Sequence, residues 1–161
     1  MAESRYMTAA VCTNGHVATE ALEYGTGQDK HCGVCGASVI AACPNCKTPI
    51  RGFFHVSGVF TTAPYRPPAF CFECGKPFPW TAEKLAAAKD LADELEDVSA
   101  DDRAKLKTAI EDVATGGPRA EAGAARIKRM VGKAGTTVGQ ALWKISVEVA
   151  SEAAKKILTG G

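Results

Sequence analysis

The chain has 161 residues, 46% of them hydrophobic and 23% charged, with a formal net charge of +1. That length and balance suit one or two compact domains and supply no global field to draw the protein onto nucleic acid. Met1 to Ala10 holds Glu3, Ser4 and Arg5 and no apolar run of signal-peptide length, so the sequence predicts a cytoplasmic protein whose thiols stay reduced.

The first half is organised by seven cysteines and one histidine in four short pairs: Cys12 with His16, Cys32 with Cys35, Cys43 with Cys46, and Cys71 with Cys74. Zinc takes four N or S ligands at tetrahedral corners, and a two-residue gap between cysteines lets both sulfurs of one tight turn reach the same ion. Seven cysteines cannot all pair as disulfides, whereas adding His16 makes eight donors, so two zinc ions per chain are expected. The preferred assignment joins neighbouring pairs, Cys12, His16, Cys32 and Cys35 on one ion and Cys43, Cys46, Cys71 and Cys74 on the other. A cross-brace, in which alternate pairs share an ion, is the rival. Gly36 and Gly75 follow their knuckles and offer the positive φ of a tight turn, as Gly15 does within its own pair, while Lys47 after Cys46 departs from that pattern. His31 and His55 read as solvated or packed side chains, not ligands.

Closed four-ligand sites are structural, whereas catalytic zinc keeps an open position for water. Neither a His-x-Glu nor a Ser-His-Asp order nor a phosphate-cradling glycine loop occurs, and no enzyme is expected. From Met1 to Trp80, six Lys and Arg face five Asp and Glu, and seven thiolates with two Zn²⁺ would add a formal −3. The basic stripe of a nucleic-acid-reading zinc module is missing. The aromatics Phe53, Phe54, Phe60, Tyr65, Phe70, Phe72 and Phe78 are expected to fill the space between two ribbons, with base stacking as their second role. Residues 1–80 thus read as a small metal-stabilised β region, a double zinc ribbon.

Residues 81–161 read as an all-α region. Thr81 is the expected N-cap of a first helix carrying Leu85, Ala88, Ala92 and Leu95; Ser99 opens a second with Leu106, Ala109, Ile110 and Val113, stopped by Gly116, Gly117 and Pro118. A third carries Ala120, Ala124, Ile127, Val131 and Ala134, with Gly123 and Gly132 each weakening it by about 1 kcal/mol. A fourth is expected to run from about Thr137 to Leu158, its charges confined to one stripe through Lys144, Glu148, Glu152 and Lys155. Apolar around most of its circumference, it reads as either the central core helix of its own bundle or an interface that another molecule completes, and a homo-oligomer interface through Leu142, Trp143, Val147 and Ile157 is expected. Its charges exclude a transmembrane segment. Residues 81–113 hold ten acidic against five basic side chains and residues 114–161 three against eight, with Arg126, Lys128, Arg129 and Lys133 at the positive end.

The ordered series Cys12-Thr13-Asn14-Gly15-His16, Cys32-Gly33-Val34-Cys35-Gly36, Cys43-Pro44-Asn45-Cys46 with Pro49-Ile50-Arg51-Gly52, and Cys71-Phe72-Glu73-Cys74-Gly75-Lys76-Pro77-Phe78-Pro79-Trp80-Thr81 resembles an uncharacterised bacterial family of unknown function that joins paired zinc ribbons to a helical tail. Pro118-Arg119, Arg126 to Arg129 and Val149 to Lys156 extend the resemblance through the tail. It implies the two-zinc fold and a prokaryotic source and lends no catalytic residues. The function expected is a non-enzymatic adaptor or assembly protein, its ribbons recognising an unidentified protein partner and its helical tail assembling or docking. A nucleic-acid-binding zinc protein using Arg51, Arg66 and the Arg126 to Lys133 cluster is the alternative, and an enzyme comes third.

Overall fold

The computed structural model describes residues 4–25, 29–60, 63–134 and 136–160, with Lys133 and Ala134 described by their backbone alone. Those two side chains, a predicted cation and a predicted core position, lie outside the described residues. The chain divides into two compact units, Met1–Ala82 and Glu83–Gly161.

The first unit is built on short strands. β1 (Ser4–Thr8) pairs antiparallel with β5 (Arg51–Val56), with a register shift between Tyr6 and Thr8. β2 (Ala10–Cys12) is the centre of a three-stranded antiparallel sheet, flanked by β3 (Val17–Thr19) and β4 (Val39–Ile40). A single turn of 3-10 helix, Leu22–Tyr24, follows β3, and the Glu23 carboxylate accepts the Thr8 N–H at 2.9 Å. Gly52 is required where β5 crosses this segment, because an added Cβ would lie 2.0 Å from the Glu20 carbonyl oxygen. The core is small: Ala9, Val11, Ile50, Phe78 and Trp80 close on Cys43 and Cys71, with Phe78 and Trp80 stacked at 4.7 Å.

The aromatic residues are placed differently from the expectation. Phe78 is buried and Tyr65 packs on the core, but Phe54 is 48%, Phe72 50% and Phe60 98% exposed. The cysteine knuckles occupy the space those rings were expected to fill, so the rings lie outside.

Five helices follow among the described residues: α1 (Pro79–Asp93), α2 (Ala100–Thr115), α3 (Ala120–Ala134), α4 (Thr137–Val149) and α5 (Glu152–Thr159). α1 begins two residues before Thr81, because Pro79 suits a first turn whose N–H has no helical partner, and the Phe78 carbonyl receives the Ala82 N–H at 2.9 Å. Thr81 is therefore a buried helix residue and not a cap. Ser99 does cap α2, accepting the Asp102 N–H at 3.2 Å, and Gly116 ends it in the left-handed conformation. Ala88, Ala92, Leu95, Leu106, Ala109, Ile110, Val113, Ala120, Ala124, Ile127 and Val131 all fall in one core cluster. Gly123 has a packing reason: a Cβ there would meet the Ala109 carbonyl oxygen at 3.0 Å and Val113 Cγ1 at 3.3 Å, so its absence lets α3 approach α2.

The expected single helix from Thr137 to Leu158 is two. Ala150 is extended, Ser151 donates its N–H to the Val113 carbonyl at 2.8 Å, and its hydroxyl accepts the Ala154 N–H to start α5. The break gives α4 and α5 separate buried faces, Leu142 and Ser146 on one and Ala154 and Leu158 on the other. This corrects the reading of one broadly apolar rod. Within the acidic segment Lys89 pairs with Glu111 and Lys107 with Asp93, while Arg119 reaches Asp112 at 3.5 Å and Lys84 reaches Glu148 at 3.1 Å. Among the described residues, no helix is long and apolar enough to cross a membrane.

Candidate metal centres

Three of the cysteine pairs are copies of one backbone turn. The first cysteine of each, Cys32, Cys43 and Cys71, donates its N–H five residues ahead, to the carbonyls of Ala37, Thr48 and Lys76, each at 2.8 Å. The residue after the second cysteine returns its N–H to the first, Gly36 to Cys32 at 2.8 Å, Lys47 to Cys43 at 2.9 Å and Gly75 to Cys71 at 2.9 Å. Paired bridges close each turn at the same offsets, His31 with Ser38, Ala42 with Pro49 and Phe70 with Pro77. The geometry requires a left-handed residue after the second cysteine, with φ of 73° at Gly36, 64° at Lys47 and 69° at Gly75. Lys47, the departure in the sequence, thus adopts the glycine conformation, and its Nζ donates to the Pro44 carbonyl at 2.8 Å.

The fourth pair is a different turn. Cys12 ends β2, its N–H bonded to the His16 carbonyl at 2.9 Å, and Gly15 at φ 92° turns the chain beneath Trp80, whose Cβ would lie 3.1 Å from an added Cβ.

Neighbouring pairs come together, not alternate ones. The donor atoms of Cys12, His16, Cys32 and Cys35 lie within 4.8 Å of one another, and so do those of Cys43, Cys46, Cys71 and Cys74. All seven cysteines are free thiols. In the first cluster Cys12 Sγ lies 3.8 Å from Cys35 Sγ and 3.5 Å from His16 Nδ1, which is 3.7 Å from Cys32 Sγ. In the second, Cys43 to Cys74 is 3.8 Å and Cys46 to Cys71 is 3.6 Å. A tetrahedron with Zn–S of about 2.3 Å and Zn–N of about 2.05 Å has S–S edges of about 3.8 Å and S–N edges of about 3.6 Å. The donor sets fit zinc in kind, number and spacing.

The turns also prepare thiolates. The Ala37 backbone N–H, aided by His16 and Asn14, brings Cys35 down to about 6, and Thr48, through its hydroxyl and its backbone, brings Cys46 down to about 6. The Lys76 backbone lowers Cys74 in the same way. Burial raises Cys12; at Cys71 the Cys74 backbone N–H opposes the rise, but burial and the thiols of Cys46 and Cys74 push it up to about 11. Each cluster thus joins a thiol whose ionisation is favoured to one whose ionisation is opposed, so metal loading would release protons. Cys43 and Cys71 are buried, which makes the second centre the better shielded.

The remaining candidates are scattered. His31 is exposed in its bridge and His55 Nδ1 lies 3.4 Å from the Tyr24 hydroxyl, and neither belongs to a donor cluster. Leu142 has no exposed surface and belongs to the core of the second unit, while Trp143, Val147 and Ile157 pack on that core and keep part of their surface. Leu142 is thereby taken from the expected interface, because its side of α4 is the one the bundle covers. Arg51 holds a position that residue types alone did not reveal. Its guanidinium carbon lies 3.6 Å from the Phe72 ring centre and 4.7 Å from that of Tyr6. The Gly52 crossing and the turn at Cys71 create that setting, and neither has a sequence period.

Among the described residues, a small β unit with two four-donor cysteine-rich clusters, each of which could hold a metal ion, is followed by five helices. The chain belongs to the family described as an uncharacterized protein conserved in bacteria (DUF2321), whose model matches residues 5–158, nearly its whole length, as the resemblance implied. Neither the curated proteins nor the solved structures searched contain a match.

Proposed function

We propose that the protein is a non-enzymatic zinc adaptor of the bacterial cytoplasm: residues 1–80 form a double zinc ribbon that presents a recognition surface to a protein partner, and residues 81–161 support docking or self-assembly. The observation that carries this reading is the pair of complete donor sets. Each centre supplies four N or S ligands at tetrahedral edges, which leaves zinc a structural role as a cross-link and no position for an activated water. With so small an apolar core, the folding free energy of the unit would be largely metal-binding free energy. The exposed Phe54, Phe60 and Phe72 then have a use as contact surface on a rigid frame. Self-assembly would draw on the outer surfaces of Trp143, Val147 and Ile157.

Native mass measurement with metal retained tests this directly. Two zinc ions per chain and more than one chain per particle are expected; one ion or none in undamaged protein overturns the ribbon reading, and a monomer throughout the micromolar range overturns self-assembly alone. The nucleic-acid alternative draws support from one observation, that Arg126 and Arg129 on α3 form no ion pair among the described residues. Binding that survives physiological salt and is lost at Arg51 and Arg66 would favour it.

A further inference from the structure

We propose that Arg51, clamped between Tyr6 and Phe72, is the anchor of a recognition site for a protein segment that carries a carboxylate beside apolar side chains. The proposal rests on the adaptor reading and names the chemistry of its partner. Arg51 stands at the register shift of the β1–β5 pair, opposite Thr8, and its carbonyl accepts the Tyr65 hydroxyl at 2.6 Å. The backbone of the arginine is thereby fixed. Its guanidinium lies against Phe72, inside the Cys71 to Cys74 turn, and against Tyr6, which in turn meets Phe54 across the strand pair at a ring separation of 4.9 Å.

A long cationic side chain on a surface usually loses rotamer freedom when it binds, and this one is already held. Arg51 is exposed, and among the described residues no carboxylate pairs with it. The fork geometry suits two carboxylate oxygens, and a charge-assisted, preorganised pair is stronger than an ordinary hydrogen bond. Around it Tyr6, Phe54 and Phe72 keep roughly half their surface, so an arriving segment finds one cation ringed by apolar area.

That arrangement favours a peptide over a nucleic acid. Single strands bind where bases find open ring faces along a line of cations. Here the guanidinium occupies a face of Tyr6 and a face of Phe72. One cation with three partly covered rings matches one carboxylate with apolar neighbours.

The test uses the full zinc-loaded chain and three labelled probes: a pool of short peptides in which Asp or Glu is flanked by Leu, Val or Tyr, the same pool with Asn or Gln in place of the acid, and an oligothymidine strand. Fluorescence anisotropy at physiological salt should show the acidic pool binding at least about tenfold more tightly than the amide pool, and Arg51→Gln should remove that difference with both metals retained. Arg51→Lys should also lose most of it, because a point charge cannot use the clamp. If both pools bind equally and Arg51→Gln changes neither, the unit recognises peptides elsewhere and this proposal alone fails. If no pool binds, the proposal falls together with the recognition role of the unit. If the oligonucleotide binds best and depends on Arg51, the nucleic-acid reading replaces both.

Discussion

Two glycines in one turn separate backbone strain from every other consequence of a substitution. In Cys32-Gly33-Val34-Cys35-Gly36, a Cβ added at Gly33 or at Gly36 would have no atom within 4 Å, so neither change creates a clash. Only Gly36 has a left-handed φ, 73°, and it must keep that value to return its N–H to the Cys32 carbonyl. Converting Gly to Ala restricts the unfolded chain by about 0.4 to 1 kcal/mol at either site, which favours the folded state and cancels in the comparison. What remains is the left-handed penalty of an L side chain, about 1 to 2 kcal/mol. If folding of this small turn is coupled to metal binding, as the proposed function requires, that penalty is read as zinc affinity. Gly36→Ala should therefore bind its first-centre zinc about 5- to 30-fold more weakly than Gly33→Ala, at about 1.4 kcal/mol per tenfold. Competition against a chromophoric chelator measures both variants on one scale. Equal affinities, or a weaker Gly33→Ala, would refute the argument that this turn is set by one left-handed residue.

Four further outcomes follow from named contacts. His16→Ala should reduce the metal content to one ion per chain while His31→Ala keeps two, read by mass measurement; the reverse result would make His31 the ligand in place of His16. Cys43→Ser or Cys74→Ser should empty the second centre and release the packing of Ile50 and Phe78 around it, seen as loss of their dispersed methyl and ring resonances, while the first centre stays loaded. Gly123→Ala gains helix propensity of about 1 kcal/mol but must push against the Ala109 carbonyl oxygen at 3.0 Å and Asp112 Cβ at 3.2 Å, so a net loss of about 1 to 2 kcal/mol is expected in denaturant unfolding, and a gain would show slack between α2 and α3. Trp143→Asp should dissociate an assembled protein with both zinc ions retained; unfolding of the helical unit instead would assign the tryptophan to the core.

The donor clusters were legible because their chemistry is local. A gap of two residues fixes each pair in one turn, and the odd count of cysteines leaves a vacancy that only a histidine four residues after Cys12 fills. Helix faces were legible for a similar reason, since Leu106, Ala109, Ile110 and Val113 repeat at the period of the element that buries them. What escaped was set by contacts between distant segments. Lys47 looks wrong for its turn by residue type, yet the same backbone bonds that hold Gly36 and Gly75 hold it. The exposed aromatic residues read as core because aromatic content is a statement about burial on average, while the space at the centre of this unit goes to the cysteine turns. The clamp on Arg51 joins residues 6, 51 and 72, and no periodic pattern links positions that far apart.

The break at Ala150 and Ser151 shows how such a contact changes a functional expectation. Read as one helix, residues 137–158 have apolar side chains on both flanks of a charged stripe, and a small bundle cannot cover both. The chain resolves this by turning: the Ser151 N–H is worth more to the Val113 carbonyl, left open at the end of α2, than to a continued α-helix, and Ser151 Cβ sits 2.9 Å from where a side chain at Gly116 would begin. Glycine at 116 is therefore needed twice, for its left-handed cap and for the approach of Ser151. With the turn made, Leu142 and Leu158 face the same core from separate helices. Of the residues expected at an interface, Trp143, Val147 and Ile157 keep partly exposed sides, and Trp143 lines a cavity of about 410 Å³ with Lys128, Val131, Gly132, Gly139 and Gln140. An assembly built there would be held by one aromatic anchor and its surroundings, the kind of interface in which a single substitution decides the outcome.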